Sequence, residues 1–355
     1  MTRRTMLELL ASSAAGLAVA PSLGRAATLP HRKRLGIGMH SYGFHWQAAR
    51  ERNGNAKFSD ALGFLGYCHQ LGAGGIQVAI ASKEQSEARR IRAKAESYGM
   101  YFEGQLGLAK SDSDIARFET ELRMAKEAGA SIVRTVLLGG RRYETFRSVQ
   151  AFNEFRENSW KSLVLAEPVL KRHGLRLAIE NHKDLLVPEL LELLRRLSSE
   201  FVGVCLDIGN SIALLEEPME VVQALAPFAF STHIKDMDVR EYEDGFLLSE
   251  VPLGEGFLDL RRIIWILQKA NPAIQFNLEM ITRDSLKIQC LTNNYWLTME
   301  NTPASRLAQT LALVKKNVPS KPLPHTTGLP LEEQLKLEDA NVRQSLAYAR
   351  QNLNL

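Results

Sequence analysis

The chain has 355 residues, 45% apolar and 24% charged, a balance that supports a sizeable buried core and excludes a disordered or fibrous polypeptide. A net charge of +4, part of it in the run His31-Arg32-Lys33-Arg34, comes without a basic stripe interleaved with aromatics, which argues against a nucleic-acid partner. Cys68, Cys205 and Cys290 form no CxxC pair, so neither a thiolate zinc site nor a disulfide framework is expected, and Cys205, inside an apolar run, reads as core packing.

Thr2-Arg3-Arg4-Thr5-Met6-Leu7 opens the chain, a mildly apolar stretch from Leu9 to Val19 follows, and Arg25-Ala26-Ala27 ends it. Charged start, weak hydrophobicity and small-residue end, in that order, resemble a twin-arginine secretion signal over residues 1–27. The apolar part is too short to span a bilayer, so the mature form is expected to carry no membrane span and to be periplasmic or extracellular.

The first strand is predicted at Leu35–His40, followed by helix-like periodicity from Phe58 to Leu71. Strand two, Gly75–Ala79, leads to an amphipathic helix over Lys83–Tyr98, and strand three is Tyr101–Gln105. A helix over Ser113–Ala128 is expected to start at Ser113 or Asp114 and stop at Gly129, before strand four, Ile132–Val136. The second half repeats the rhythm. A long helix, Val149–His173, ends at Gly174. Strand five is Leu175–Glu180, and a helix over Val187–Leu197 carries Pro188 in its first turn. Strand six, Val202–Asp207, precedes a short helix, Met219–Leu225, and strand seven, Phe228–Ile234, precedes a helix over Leu258–Ala270. Strand eight is Ile274–Glu279, and Ala304–Lys316 is the expected closing helix.

Eight strand–helix alternations of this length describe an α/β chain folded as a (β/α)₈ TIM barrel over residues 28–317. An open doubly wound sheet is the alternative, but no Gly-rich phosphate loop follows any strand. Pro319, Pro322, Pro324 and Pro330 make a stiff linker, and Leu331–Leu353 reads as an amphipathic helix, a C-terminal extension (318–355) to be packed on the barrel or on a second subunit of a homo-oligomer.

Strands five to eight end in Glu180, Asp207, His233 and Glu279. A barrel gathers those ends at one mouth. Three carboxylates and an imidazole repel or desolvate one another unless a cation joins them. Oxygen donors with a single nitrogen favour Mn²⁺ first, then Mg²⁺ or Co²⁺, with Zn²⁺ also compatible. Singly, each residue has an ordinary alternative: a rim salt bridge, a turn aspartate or a core histidine. Their occurrence on four consecutive strands carries the metal reading.

The motifs Ile179-Glu180-Asn181-His182, Leu206-Asp207-Ile208-Gly209-Asn210 and Thr232-His233-Ile234-Lys235-Asp236 occur in order, followed by Pro252-Leu253-Gly254-Glu255-Gly256-Phe257-Leu258-Asp259 and Leu278-Glu279. From Leu35 to Lys316 the chain resembles the xylose-isomerase-like superfamily of sugar isomerase and epimerase barrels. The resemblance implies a metal held by Glu180, Asp207, His233 and Glu279, a sugar chelating it through a carbonyl and a neighbouring hydroxyl, and Glu180 and Glu279 as the proton-transfer pair on opposite faces of an enediolate.

The resemblance loosens at two points. Asn210 stands where family epimerases often carry a histidine, and Glu180 is followed by Asn-His instead of a small residue and proline, which counts against simple 3-epimerisation of a free ketose. His182 and Lys183 are then expected to supply substrate contacts, together with His40, Gln105, Asn210 and Lys235; Gln77 and Arg134 are equally readable as substrate contacts or as structural hydrogen-bond partners. Lys235 is also readable as a partner for Asp236, Phe44 and Trp46 as a wall against a sugar ring or as loop packing, and Arg141 and Arg142 as solvated or as binding a phosphate or carboxylate. The expected function is a metal-dependent sugar isomerase or epimerase. A lyase or hydratase on a 3-keto-glycoside would use the same site, and a non-catalytic periplasmic sugar-binding protein would keep the pocket without turnover. An endonuclease IV-type repair enzyme needs more histidines than the eight present.

Overall fold

The computed structural model describes residues 34–80, 84–299 and 302–355; the twin-arginine-like segment lies outside them. Strand β1 (Gly36–Gly38) leads through a 3-10 turn (Met39–Tyr42) to helices α1 (Gly43–Arg50) and α2 (Ala61–Gln70). Then follow β2 (Gly75–Val78), α3 (Gln85–Tyr98), β3 (Tyr101–Gln105), α4 (Ile115–Glu127), β4 (Ile132–Thr135), a one-turn α5 (Arg142–Thr145) and α6 (Val149–His173). The second half runs β5 (Arg176–Glu180), α7 (Val187–Leu197), β6 (Val202–Asp207), α8 (Pro218–Leu225) and β7 (Ala229–Ile234). A hairpin, β8 (Asp236–Tyr242) and β9 (Gly245–Val251), intervenes before α9 (Leu260–Ala270) and β10 (Asn277–Leu278). The chain finishes with β11 (Leu286–Ile288), α10 (Asn293–Trp296), α11 (Ala304–Lys316) and α12 (Leu331–Tyr348).

Strands β1 to β7 and β10 close an eight-stranded parallel barrel in the order β1-β10-β7-β6-β5-β4-β3-β2. The helices obey local chemistry. Ser148 accepts from Ala151 N–H at 3.2 Å to start α6, and Gly174 ends it at φ +62°. Pro188 sits in the first turn of α7, where Glu189 accepts from Leu186 N–H at 2.7 Å. Neither Ser113 nor Asp114 caps α4; both lie in a 3-10 turn, and Asp114 instead pairs with Arg117 at 2.6 Å.

Inside the barrel the residues lie in layers. At the floor the Tyr101 ring fills the axis, where a Cβ on Gly75 would stand 2.4 Å from it; glycine there makes room for the ring. Above it Gln77, Glu103, Ser231 and Asn277 form a buried polar layer. The ligand-bearing strand ends sit on top.

Two expectations change. The helix Ala304–Lys316 packs on a three-stranded antiparallel sheet, β11-β9-β8, that the sequence reading did not contain. The barrel core is instead completed by Val342, Leu346, Ala349, Leu353 and Leu355, so α12 and the residues after it, not α11, close the ring of helices. Glu338 of α12 also accepts from Phe44 N–H at 2.8 Å, His45 N–H at 3.0 Å and His45 Nδ1 at 2.8 Å, capping α1 from outside. No described helix is long and apolar enough to cross a membrane.

Candidate metal centre

Glu180, Asp207, His233 and Glu279 are all buried, and one potential ligand atom from each lies within 4.8 Å of the others. Parallel pairing of β6 with β7 sets Asp207 beside His233. Carboxylate oxygens of Glu279, Glu180 and Asp207 surround His233 Nδ1 at 3.3, 3.4 and 3.7 Å. His233 Nε2 faces Gln77 Oε1 at 2.7 Å. That contact makes Nε2 the donor and turns Nδ1 to the carboxylates; burial works against a charged ring, but Cys205, Glu279 and Glu180 outweigh it and hold the His233 pKa well above its ordinary value, so Nδ1 keeps a proton that a cation would displace. A buried imidazole nitrogen ringed by three carboxylates fits a divalent cation, and these four residues could hold one.

The supports around them are equally specific. Asn181 clasps the Asp207 backbone twice: its Nδ2 donates to Asp207 O and its Oδ1 accepts from Asp207 N–H, both at 2.8 Å. Asp207 Oδ1 accepts from Gly209 and Asn210 N–H at 2.9 and 2.8 Å. Ser41 donates to Leu278 O and accepts from Met280 N–H, bracing Glu279 on both sides. Arg134 Nε donates to Glu180 Oε2 at 2.7 Å, and Asn210 Nδ2 donates to Glu180 Oε1 at 2.9 Å. Lys235 Nζ bridges Asp207 Oδ2 at 2.6 Å and Glu279 Oε2 at 2.7 Å.

Charge sets the protonation states. Burial pushes Glu180 and Glu279 up, but Arg134 and His233 outweigh it at Glu180, and His233 and Lys235 at Glu279, so both are held well below the usual carboxylate range. Burial works against a charged Lys235, and Asp207 and Glu279 reverse it, raising its pKa. Lys183 goes the other way: burial, then repulsion from Lys235 and Arg283, brings it down to about 8. His182 is lowered to about 4, chiefly by burial and then by Lys183, and its Nδ1 has no partner. Burial also lowers His40, whose Nε2 lies 3.1 Å from Gln105 Nε2.

The structure thus gathers the four strand ends, with Asn210, Lys183, Lys235, His182 and His40 around them. Gln77 and Arg134 take structural partners, a ligand histidine and a ligand carboxylate. Lys235 does not pair with Asp236. Asp236 accepts from Met237, Gly254, Gly256 and Leu258 N–H at 2.9–3.2 Å and so holds the glycine-rich turn, where Gly254 adopts φ +87°. Arg142 is buried, not solvated: it pairs with Glu189 at 2.6 Å and lies over the Phe152 ring at 3.7 Å. The Trp46 ring packs on Phe58 and Phe64 at 4.8 and 5.5 Å, so it belongs to an aromatic cluster. The sequence reading missed Glu103, Ser231 and Asn277 beneath the ligands and the Glu250–Arg283 pair beside them. Glu103 was legible: Tyr101, Glu103 and Gln105 share one face of a strand.

Residues 65–313 match the model of a family described as xylose isomerase-like TIM barrel. Among curated proteins, 3-oxo-isoapionate decarboxylase from Pectobacterium atrosepticum is 27% identical over 235 residues, 63% of this chain and 78% of that protein. D-psicose 3-epimerase, solved in the presence of D-fructose, superposes with a TM-score of 0.59 at 16% identity, over 91% of this chain and all of that one. A xylose isomerase-like protein from Mycobacterium smegmatis in complex with magnesium gives 0.51 at 17% identity, over 79% of this chain and 98% of that one. At such identities the solved structures report a shared fold.

Proposed function

The chain belongs to the xylose isomerase-like TIM barrel family, and from that premise we propose that it is a divalent-metal-dependent enzyme that forms an enediolate from a sugar-like hydroxy-ketone. The observation that carries this reading is His233 Nδ1, without a hydrogen-bond partner among the described residues, within 3.3–3.7 Å of three carboxylates. A divalent ion, Mn²⁺ by preference for this donor set, would supply polarisation of the substrate carbonyl.

The residues supply the proton handling. Glu180 and Glu279, both held ionised, are competent to take a proton from the carbon beside the carbonyl; the acid so formed can give that proton back, and return from the other side needs the second carboxylate to draw a proton from water first. Arg134 and Lys235 keep them charged until substrate arrives. Isomerisation or epimerisation is the first outcome of such chemistry. Decarboxylation of a 2-hydroxy-3-oxo acid is the second, and the decarboxylase relative favours it: loss of CO₂ leaves its bonding pair in an enediolate, which is then protonated at carbon by a proton drawn from water through Glu180 or Glu279. Export by the twin-arginine route is part of the same proposal, supported by Arg3-Arg4 and the segment behind them.

The test is to incubate Mn²⁺-loaded protein with sugars, keto-glycosides and 3-oxo sugar acids in D₂O. Deuterium in a rearranged sugar supports isomerisation, CO₂ release supports decarboxylation, and a freed aglycone supports elimination. Glu180→Gln and Glu279→Gln should each lower exchange at least about 100-fold. Full exchange in both variants would sink the two-carboxylate assignment, and binding without any exchange would make the chain a sugar-binding protein.

A further inference from the structure

The mouth holds two buried lysines of opposite character. Lys235 lies between two carboxylates at 2.6 and 2.7 Å. Lys183 is almost as buried, at 3% exposure, yet among the described residues its ammonium bonds a single acceptor, Asn210 Oδ1. An ammonium carries three donors, so two are left without a protein acceptor. The other cations around the centre are matched: Arg134 by Glu180, Lys235 by Asp207 and Glu279, and Arg283 by Glu250 through Arg283 Nε at 3.1 Å. Lys183 has no carboxylate of its own. Its depressed pKa of about 8 is the signature of a cation buried without one.

Charge balance sharpens the point. Four carboxylates (Glu180, Asp207, Glu250 and Glu279) face four cations (Arg134, Lys183, Lys235 and Arg283). A divalent ion added among them leaves the mouth with surplus positive charge. A neutral sugar cannot offset it; an anion can. Lys183 is also well placed for one, since Asn210 links it to Glu180. The Nδ1 of His182, the preceding residue, is a further buried polar atom without a hydrogen-bond partner among the described residues.

Resting on the proposed function and naming its substrate class, we propose that Lys183 is the anion-binding arm of this site and that the substrate carries a carboxylate: a sugar acid, not a neutral sugar. The Lys183 ammonium donates to the carboxylate as a point charge while its bond to Asn210 Oδ1 holds it in place. The carboxylate in turn fixes which carbon lies under Glu180 and Glu279.

Calorimetric titration of D-erythronate and D-ribonate, against the matched alditols erythritol and ribitol, tests this on the full-length protein with and without Mn²⁺. The wild type should bind the acids about tenfold or more tighter than the alditols, and Lys183→Met should reduce that preference to near unity. Lys183→Arg should restore part of the preference, which also guards against a misfolded Met variant. Acids that bind no tighter than alditols, or a preference that survives in Lys183→Met, overturn the proposal; the latter result would put the carboxylate on the metal. A separate Mn²⁺ titration isolates the underlying reading. If Mn²⁺ does not bind, the metal-dependent function fails, while the acid preference of the metal-free protein still reports on Lys183.

Discussion

Gln77 is predicted to matter for metal affinity although it lies a layer below the ligands. Its Oε1 accepts from His233 Nε2 at 2.7 Å, and its Nε2 donates to Glu103 Oε2 at 2.9 Å. The first bond fixes Nε2 as the nitrogen that keeps its proton and turns Nδ1 to the three carboxylates, where a cation can replace a proton; the second stops the amide from flipping. Gln77→Leu keeps the volume and removes the acceptor. His233 is then free to rotate or to carry its proton on Nδ1, where the carboxylates favour it. Outer partners of ligand histidines are typically worth about 10–100-fold in metal affinity, or roughly 1.4–2.7 kcal/mol. The assay is calorimetric titration of Mn²⁺ into metal-free protein, with urea unfolding to confirm the fold. Gln77→Glu, which keeps an acceptor, should retain most of the affinity. Ser231→Ala loses its bond to Glu103 and those it accepts from Gln77 and Asn277 but leaves Gln77 Oε1 on His233, so its affinity should stay within about twofold of wild type. A folded Gln77→Leu protein with wild-type Mn²⁺ affinity would refute the reasoning.

Asp184 is buried, and burial raises its pKa to about 7 from 3.8. The folded state therefore keeps a proton that the unfolded chain loses, so this group's contribution to stability is whole below pH 3.8, declines from pH 4 to 7 and is gone above 7. The swing is on the order of 4 kcal/mol, and Asp184→Asn should flatten it when urea unfolding is compared at pH 4.5 and 7.5; parallel pH dependence in both proteins would contradict this. Glu338→Ala strands Phe44 N–H, His45 N–H and the His45 ring, and should cost about 3 kcal/mol or more, read as a lower urea midpoint. An unchanged midpoint would mean that α12 does not hold α1 through this carboxylate.

The barrel was legible because its signals are local. Strand β6 and the helices α6, α7 and α11 have the limits that apolar periodicity, Ser148, Gly174 and Pro188 indicate. The hairpin β8–β9 was not, because Asp236–Val251 mixes charged and apolar residues around the turn at Glu243-Asp244 and was absorbed into a loop. The swap between α11 and α12 was illegible for another reason. Both helices are amphipathic, and nothing in a helix's own sequence says which of two sheets its apolar face will meet. Glu338 marks the answer only in hindsight, as a carboxylate on the buried face of α12 that finds its donors some 290 residues earlier.

The site divides along the same line. The four ligands could be read because each is a polar residue ending an apolar strand, and four in succession outweigh coincidence. Their supports are single polar residues within strands or loops, and one alone always admits an ordinary structural explanation. Gln77 and Arg134 were undecided for that reason, and geometry resolves both towards holding a ligand. The departures from the family pattern then acquire a physical role. Asn181 locks the Asp207 backbone, and Asn210 accepts from Lys183 while donating to Glu180. An asparagine has both a donor and an acceptor end, so at position 181 it makes the two bonds to the Asp207 backbone that a small side chain could not, and at position 210 it joins Lys183 to Glu180. With both asparagines committed to the scaffold, His182, neutral at ordinary pH, and Lys183, whose ammonium has no carboxylate partner among the described residues, are the polar groups of this segment that keep hydrogen-bonding capacity to spare.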